Sequence, residues 1–549
     1  MTTPTGSSSQ VENVPVLIVG GSIVGLSTAM FLAWYGVRSV SVERHPGTAV
    51  HPRAGHFHLR TLELLRSVGL EDEVRSLSAE QFGLDGGINA VESLAGREIA
   101  RYIDNLNKGV AEVSPSVRLF LTQQRLEPIL RARAEELGAR LHYATELTSL
   151  EQDAHGVTAK VTEVDSGRQR TIRAKYLVAA DGNRSPIREN LGIAMRGHGL
   201  LSNSATIYFT APGCGALVRG RNLGVIYVFN EALRGFFRFE QGEESGFLAI
   251  FRPGVVPDRA ADQVYTEQRC LELVRAAAGM PDLDVRIEDI ALWKAVADSA
   301  DRYQEGRVFI VGDAAHTMPP TGGFGGNTGV QDAQNLAWKL AAVLRGQAGE
   351  RLLETYDAER RPVGAATVQQ AYTRWVLRVE PERGKEGTHA LVDEFSAEIG
   401  YRYRSSAILS EPDGAWDIYE DPRGAKARPG SRAPHLVLER AEERISTLDL
   451  FGRSLVLLTG REGHVWCETA AAEAERRGIQ INTYQINASE ELISPDRSFV
   501  ETYGISESGA VLVRPDGFVA WRAHRLDAAA AETFTRVMST VLHVEMDAD

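Results

Sequence analysis

Residues 13–37 include no charged side chain, a run long enough to cross a bilayer. Its internal pattern points elsewhere. Residues 15–19 form a short apolar stretch of strand type. Residues 23–35 have helical character and end at Gly36, and 39–42 read as a second strand. Gly20, Gly21, Gly25, Gly36 and Pro15 interrupt the run, and no basic segment precedes it, so a signal anchor is a poor fit. The pattern is a strand-turn-helix-strand unit. The leading MTTPTGSSSQ is small and polar, and residues 1–13 are expected to be disordered.

Two more apolar strands run into polar turns. Residues 176–180 lead into Asp181-Gly182-Asn183-Arg184, and 308–311 lead into Gly312-Asp313-Ala314-Ala315-His316. A glycine-rich loop over 319–329 follows, and then a helix predicted over 330–344 with an apolar stripe from Ala333 to Leu344. Between these lie four strand-like runs, 204–211, 222–230, 233–240 and 246–251, which suit an antiparallel sheet. Beyond a polar connector at 386–426, the pattern predicts strands at 454–458 and 479–486 around a helix at 464–477. A hairpin follows across Arg514-Pro515-Asp516-Gly517, and a helix over 527–541 closes the chain.

Composition narrows the classes. The 549 residues include 60 Lys and Arg against 73 Asp and Glu, a net charge of −13, which is wrong for a surface that tracks nucleic-acid phosphates. Three cysteines, Cys214, Cys270 and Cys467, are too few and too scattered for a disulfide scaffold or a metal site, and no metal is expected. No amphipathic or apolar C-terminal segment suggests a membrane anchor.

The first turn carries chemistry. In Gly20-Gly21-Ser22-Ile23-Val24-Gly25 the glycines permit a tight bend and close helix–strand packing, and the helix start can receive a pyrophosphate. Ser22 replaces the middle glycine, adding a hydroxyl donor. Glu43, at the end of the next strand, is placed to hold a ribose hydroxyl. Asp181 and Asp313 follow apolar strands and can accept hydrogen bonds from ligand hydroxyls. The glycine-rich loop after Asp313 can form a nest of N–H donors for negative charge.

The order GGSIVG, ERHPGTAVHPRAGHFHLRTLELLRSVGL, Gln123-x-x-Leu126-Glu127, YLVAADGNRSPIR and GRVFIVGDAAHTMPPTGGFGGNTGVQDAQNLAWKL resembles the single-component FAD-dependent aromatic hydroxylases. These are the flavoprotein monooxygenases similar to p-hydroxybenzoate and phenol hydroxylase, and the likeness is greatest to the branch acting on aromatic polyketides. The resemblance implies an α/β fold: a Rossmann-like FAD-binding domain (14–195 plus 285–385) and an inserted antiparallel-sheet substrate domain (196–284, with room for further strands within 80–120). A thioredoxin-like C-terminal domain (427–549) follows. That last unit has only Cys467 and no Cys-x-x-Cys pair, so redox activity is not expected there.

The resemblance also implies roles. Gly20, Ser22 and Gly25 would hold the pyrophosphate of a non-covalent FAD, Glu43 its ribose, and Arg44 would lie beside the adenine. Arg53 and Gln123 would meet the ribityl and ring side, and Asp313 a ribityl hydroxyl. The loop with Pro320, Gly325, Gly326 and Asn327 would pass along the ring, while Asp181 would serve FAD and NADPH. The family uses NADPH as transient reductant and O2 to form a C4a-hydroperoxide, which delivers one oxygen to an aromatic substrate. No second dinucleotide turn is evident. Tyr208, Tyr227, Phe229, Phe236 and Phe237 are candidates to stack that substrate.

Where phenol hydroxylase-like enzymes carry an Asp two residues after the Arg53 position, this chain has Gly55. It therefore uses another base, with His51, His56 and His58 as candidates, or takes a substrate acidic enough to ionise. Baeyer–Villiger oxidation or epoxidation on the same scaffold remains open, as does a non-catalytic binder of an aromatic compound. A flavin halogenase would need a Trp-x-Trp-x-Ile-Pro signature, which is missing. A cytoplasmic protein is expected, and a homodimer stays open.

Overall fold

A computed structural model describes residues 11–50, 55–82, 86–218, 223–240, 242, 244–253, 264–412, 416–441, 443–489 and 492–545. Of the expectations above, His51, Arg53 and the first ten residues lie outside these.

The first unit forms as its pattern predicts: strand Glu12–Val19, helix Ile23–Trp34 and strand Ser39–Val42. The strand begins earlier than expected. Glu12 and Asn13, assigned above to a disordered leader, pair in register with Ile172 and Arg173. A neighbouring strand that long makes pairing at 12–14 favourable, a long-range fact local composition does not carry. Helix Ile23–Trp34 buries Leu26, Met30, Phe31 and Leu32 almost completely, each worth about 1.5–3 kcal/mol. It packs between helices Gln123–Glu136 and Phe324–Leu344.

The first sheet runs in the order Gln304–Glu305, Val308–Ile310, Gln169–Ala179, Glu12–Val19, Ser39–Val42, Arg140–His142. Its centre is parallel. The strands ending at Val19, Ala179 and Ile310 therefore deliver the Gly20, Asp181 and Asp313 turns to one edge, where ligands of open parallel sheets bind.

The second sheet is antiparallel through Arg286–Ala300, Met195–Thr210, Ser245–Pro253, Arg234–Phe239 and Leu223–Phe229. Gly87–Val91 then joins Leu223–Phe229 in parallel, and Glu98–Ile103 completes that side. Strand Arg286–Ala300, counted above with the cofactor domain, belongs by pairing to this second sheet. The C-terminal unit has a four-stranded sheet, Ile481–Gln485, Leu455–Thr459, Ala510–Val513, Val519–Ala523, with one parallel and two antiparallel pairings. Among the described residues no helix is long and apolar enough to cross a membrane.

Candidate flavin site and its aromatic roof

At the first turn the glycines are obligatory for steric reasons. Gly20 has φ +115°, and a Cβ there would lie 2.2 Å from the Ala180 carbonyl oxygen; one on Gly25 would lie 2.0 Å from that of Gly20. Strand, turn and helix touch backbone to backbone, which brings the helix start close to the strand edge. Ser22, the N-cap, makes no capping bond. Its hydroxyl instead donates to Glu127 Oε1 at 2.6 Å, and Gln123 Nε2 donates to both Ser22 Oγ (2.9 Å) and Glu127 (2.7 Å). Glu127 also accepts from the Ile23 and Ala49 N–H groups. This buried carboxylate ties Gln123, Ser22 and the 49 segment together, and no sequence argument singled it out beyond its place in the Gln123 motif.

Glu43 accepts from the Gly21 N–H at 2.7 Å and from the His45 N–H at 2.9 Å. It lines a small cleft with Gly21, Ser41, Leu141 and His142. Arg44 is exposed at the rim. Asp181 is the informative acid. Its Oδ1 is buried without a partner, and burial raises its pKa. Asp313 is exposed, and a Cβ on Gly325 would lie 3.9 Å from its Oδ1.

The glycine-rich segment differs from expectation. The helix begins at Phe324, not 330, with Gly323 as a left-handed N-cap at φ +71°. Gly325 and Gly326 thus sit in the first turn of a 21-residue helix. Glycines tolerate that turn because its N–H groups have no intrahelical partner, and the donors point outward. Apart from its chain neighbours and the helix's own backbone, no described heavy atom lies within 4 Å of a Cβ built on Gly326, so the approach is open. Pro320 is exposed just before this start. Asn327 is fully engaged: its Oδ1 accepts from His58 N–H (2.9 Å) and Thr61 Oγ1 (2.7 Å), and its Nδ2 donates to the His56 and Gly323 carbonyls. It pins the histidine segment to the helix start. The expected one-sided stripe is also too narrow, since residues Asn327 to Ala341 are buried on every face.

The histidines are poor proton acceptors. His58 Nε2 donates to the Gly322 carbonyl at 2.8 Å, and burial lowers its pKa. His56 stacks on Phe120 at 4.7 Å, and its Nε2 has no partner. Burial lowers its pKa well below the usual range, with His58, Arg118 and Arg238 adding repulsion.

Above this floor the second sheet presents alternating faces. Tyr227, Phe229 and Phe236 join the cluster that includes Phe82, Phe120, Phe251, Trp375 and Met318. Tyr208 packs on Phe247, itself edge-on to Phe236. Phe237 points the other way, into a separate core with Phe209 and Cys270, and is removed from the substrate candidates. Neighbouring strand residues face opposite sides, so Phe236 and Phe237 could not both line the site. The same alternation puts Arg238 on the Phe236 side, a residue the sequence reading passed over. It is 4% exposed, with Cζ 3.5 Å from the Phe120 ring centroid and 4.0 Å from that of Phe82.

Two family models match the chain: "FAD binding domain" over residues 13–371 and "Aromatic-ring hydroxylase, C-terminal" over 426–543. The chain belongs to the FAD-dependent aromatic-ring hydroxylases. It is 55% identical to the 4-methyl-5-nitrocatechol 5-monooxygenase of a Burkholderia species, over 99% of this chain and 100% of that protein. Identity to the tetracenomycin A2 monooxygenase-dioxygenase of Streptomyces glaucescens is 39%, over 97% of each. Among solved structures, a ternary complex of aklavinone-11 hydroxylase with FAD and aklavinone superposes with TM-score 0.91 at 38% identity, covering 97% of this chain and 100% of that one. The residues present fit FAD in this family member. Two glycine-bearing helix starts, with Gly20, Gly21 and Gly25 at one and Gly323, Gly325 and Gly326 at the other, lie by the strand edge, and the buried Oδ1 of Asp181 lacks a donor.

Proposed function

We propose that this hydroxylase uses FAD, NADPH and O2 to insert one oxygen atom into a phenol acidic enough to bind as its anion, with nitrocatechols as the leading class. Full-length identity of 55% to a nitrocatechol monooxygenase carries the substrate class, since a nitro group acidifies a ring hydroxyl. The site supports it, because position 55 has no carboxylate and both described histidines resist protonation. A polycyclic polyketide phenol is the second reading, favoured by the tetracenomycin and aklavinone relatives.

Bound FAD supplies nicotinamide oxidation and dioxygen activation. The chain's own residues do the rest. The Gly20–Gly25 turn would bind the pyrophosphate through backbone N–H groups at the helix start, beside Ser22 and Gln123, which donate within the network around Glu127. Glu43 would hold a ribose hydroxyl with Arg44 exposed outside it, and Asp181 and Asp313 would accept from ligand hydroxyls at the strand edge. The N–H groups at Gly325 and Gly326, in the first turn of their helix, would stabilise negative charge on the flavin. Tyr227, Phe229 and Phe236, backed by Phe251 and Trp375, exclude water and stack the substrate.

The test is NADPH oxidation by the flavin-loaded protein with a panel of nitrocatechols and polyketide phenols, followed by product mass. Acceleration by a nitrocatechol supports the reading when one oxygen from O2 enters the ring, either as a net gain of one oxygen at an unsubstituted carbon or, at the carbon bearing the nitro group, with that group released as nitrite and a quinone left; a response confined to polyketides selects the second. Ring opening would indicate Baeyer–Villiger chemistry, and flavin binding without NADPH use under any compound would leave a binder.

A further inference from the structure

We infer that Arg238 is the anion receptor of the substrate site: its guanidinium takes the ionised ring oxygen of an acidic phenol. The inference rests on the acidic-phenol reading above.

Burying a guanidinium costs several kcal/mol unless it is paired. Throughout the described core, buried arginines obey this rule. Arg360 meets Asp332, Arg432 meets Glu63, Arg118 meets Glu398 and Arg514 meets Glu359. Arg238 does not. Among the described residues it has no hydrogen bond or ion pair, and its buried Nε is unpartnered. Among the described residues the charged and titratable groups that act on it are Glu240, just past the end of its strand, and His56 beneath. Glu240 is turned to Gln81, which donates to it at 3.5 Å. The rings of Phe82 and Phe120 flank the guanidinium and lend it partial compensation.

Its placement suits a substrate. Arg238 lies on the sheet face that carries Tyr227, Phe229 and Phe236. Phe120 beneath it stacks on His56, whose ring borders Gly323 at the start of the flavin-side helix. A Cβ built on Gly55 would have Arg238 Nε as its nearest heavy atom, at 4.0 Å. A carboxylate at position 55 would therefore neutralise this cation. Glycine leaves it free for a ligand oxygen, so the missing acid and the unpaired base are two halves of one arrangement. A bound phenolate needs no proton acceptor, which fits two histidines whose basicity burial lowers.

The experiment uses flavin-loaded wild type, Arg238→Met, Arg238→Lys and Gly55→Asp with 4-nitrocatechol, whose anion and acid differ in colour. Wild type is expected to bind the anion and to lower the pH at which the bound ligand ionises. Arg238→Met and Gly55→Asp should weaken anion binding by about 30-fold or more, with ionisation of the bound ligand returned toward its solution value. Arg238→Lys should retain part of both effects. Because Arg238→Met removes an unpaired buried charge, it should melt no lower than wild type, which separates loss of a receptor from loss of folding. Unchanged affinity and unchanged colour transition in Arg238→Met would overturn the inference. So would loss of flavin with anion binding intact, since the cation would then serve the cofactor. Failure of the function reading is distinct: wild type would bind the anion through Arg238 yet return no oxygenated product.

Discussion

Two buried charged regions of this hydroxylase contrast in how their charges are matched. Where the C-terminal unit meets the flavin domain, Glu359 accepts from Arg514 at 2.6 and 2.8 Å, from Lys339 at 2.8 Å, from Asn335 at 2.9 Å and from Ser405 at 2.7 Å. Asp516 pairs with Arg514 in turn and accepts from Trp338 Nε1 at 3.1 Å. Two anions face two cations. At the aromatic roof, one cation faces rings. Both regions are buried, with Arg238 4% and Glu359 1% exposed, so solvent does not explain the difference. The matched cluster stitches the hairpin turn at 514–517 to helices Phe324–Leu344 and Glu354–Arg378, whereas the Nε of the roof cation has no partner among the described residues. On the reading proposed above, paired buried charge serves architecture and unpaired buried charge serves ligand binding, and Asp181 Oδ1, buried without a partner, would join Arg238 in the second group.

The largest expected effect tests the matched side. Arg514→Met leaves Glu359 short of two donors and Asp516 without its cation, and should cost about 3–5 kcal/mol of stability in denaturant unfolding. A loss below about 1 kcal/mol would remove the cluster from the architecture. Acid probes the same class of contact. Burial alone would raise Glu359, Glu63 and Asp332, but Arg514 with Lys339, Arg432 with Arg60, and Arg360 with His316 outweigh it and hold each below its usual range. A depressed folded-state pKa contributes stability that is present above the unfolded value and is lost as pH falls through the folded one. The melting temperature should therefore decline progressively below about pH 4.5, and a flat profile there would contradict the pairing. On the unmatched side, Asp181→Asn should weaken FAD binding by about 10-fold or more, while the flavin-free protein unfolds within about 0.5 kcal/mol of wild type. Retained flavin with reduced stability would move Asp181 to the structural group.

Legibility in the sequence followed the range of the interactions. The helix at 23–34 and the strand at 39–42 were readable because period and glycine spacing are local, as was the helix His464–Arg477. The start at Phe324 was missed because glycines that read as loop suit a helix turn whose N–H groups are unpaired. The parallel pairing of Gly87–Val91 with Leu223–Phe229 joins segments more than a hundred residues apart and leaves no local trace. In the site, the turn glycines and Asp181 were visible from motif and strand position. Arg238 was visible only as a charge sharing a face with Phe236, an i, i+2 relation in Arg234–Phe239. That it lacks a partner depends on what three other segments place around it. Glu127 likewise gains its meaning from Ser22, more than a hundred residues away.

Thermal unfolding of flavin-loaded wild type and Arg238→Met, each with and without saturating 4-nitrocatechol at neutral pH, tests the contrast most directly. A ligand that binds the native state raises its melting temperature. The account predicts equal or higher melting for Arg238→Met without ligand, a clear ligand-induced rise for wild type, and little or no rise for the variant. A variant that melts lower without ligand yet keeps the full rise would show Arg238 to be part of the architecture, and the distinction between paired and unpaired buried charge would fail in this protein.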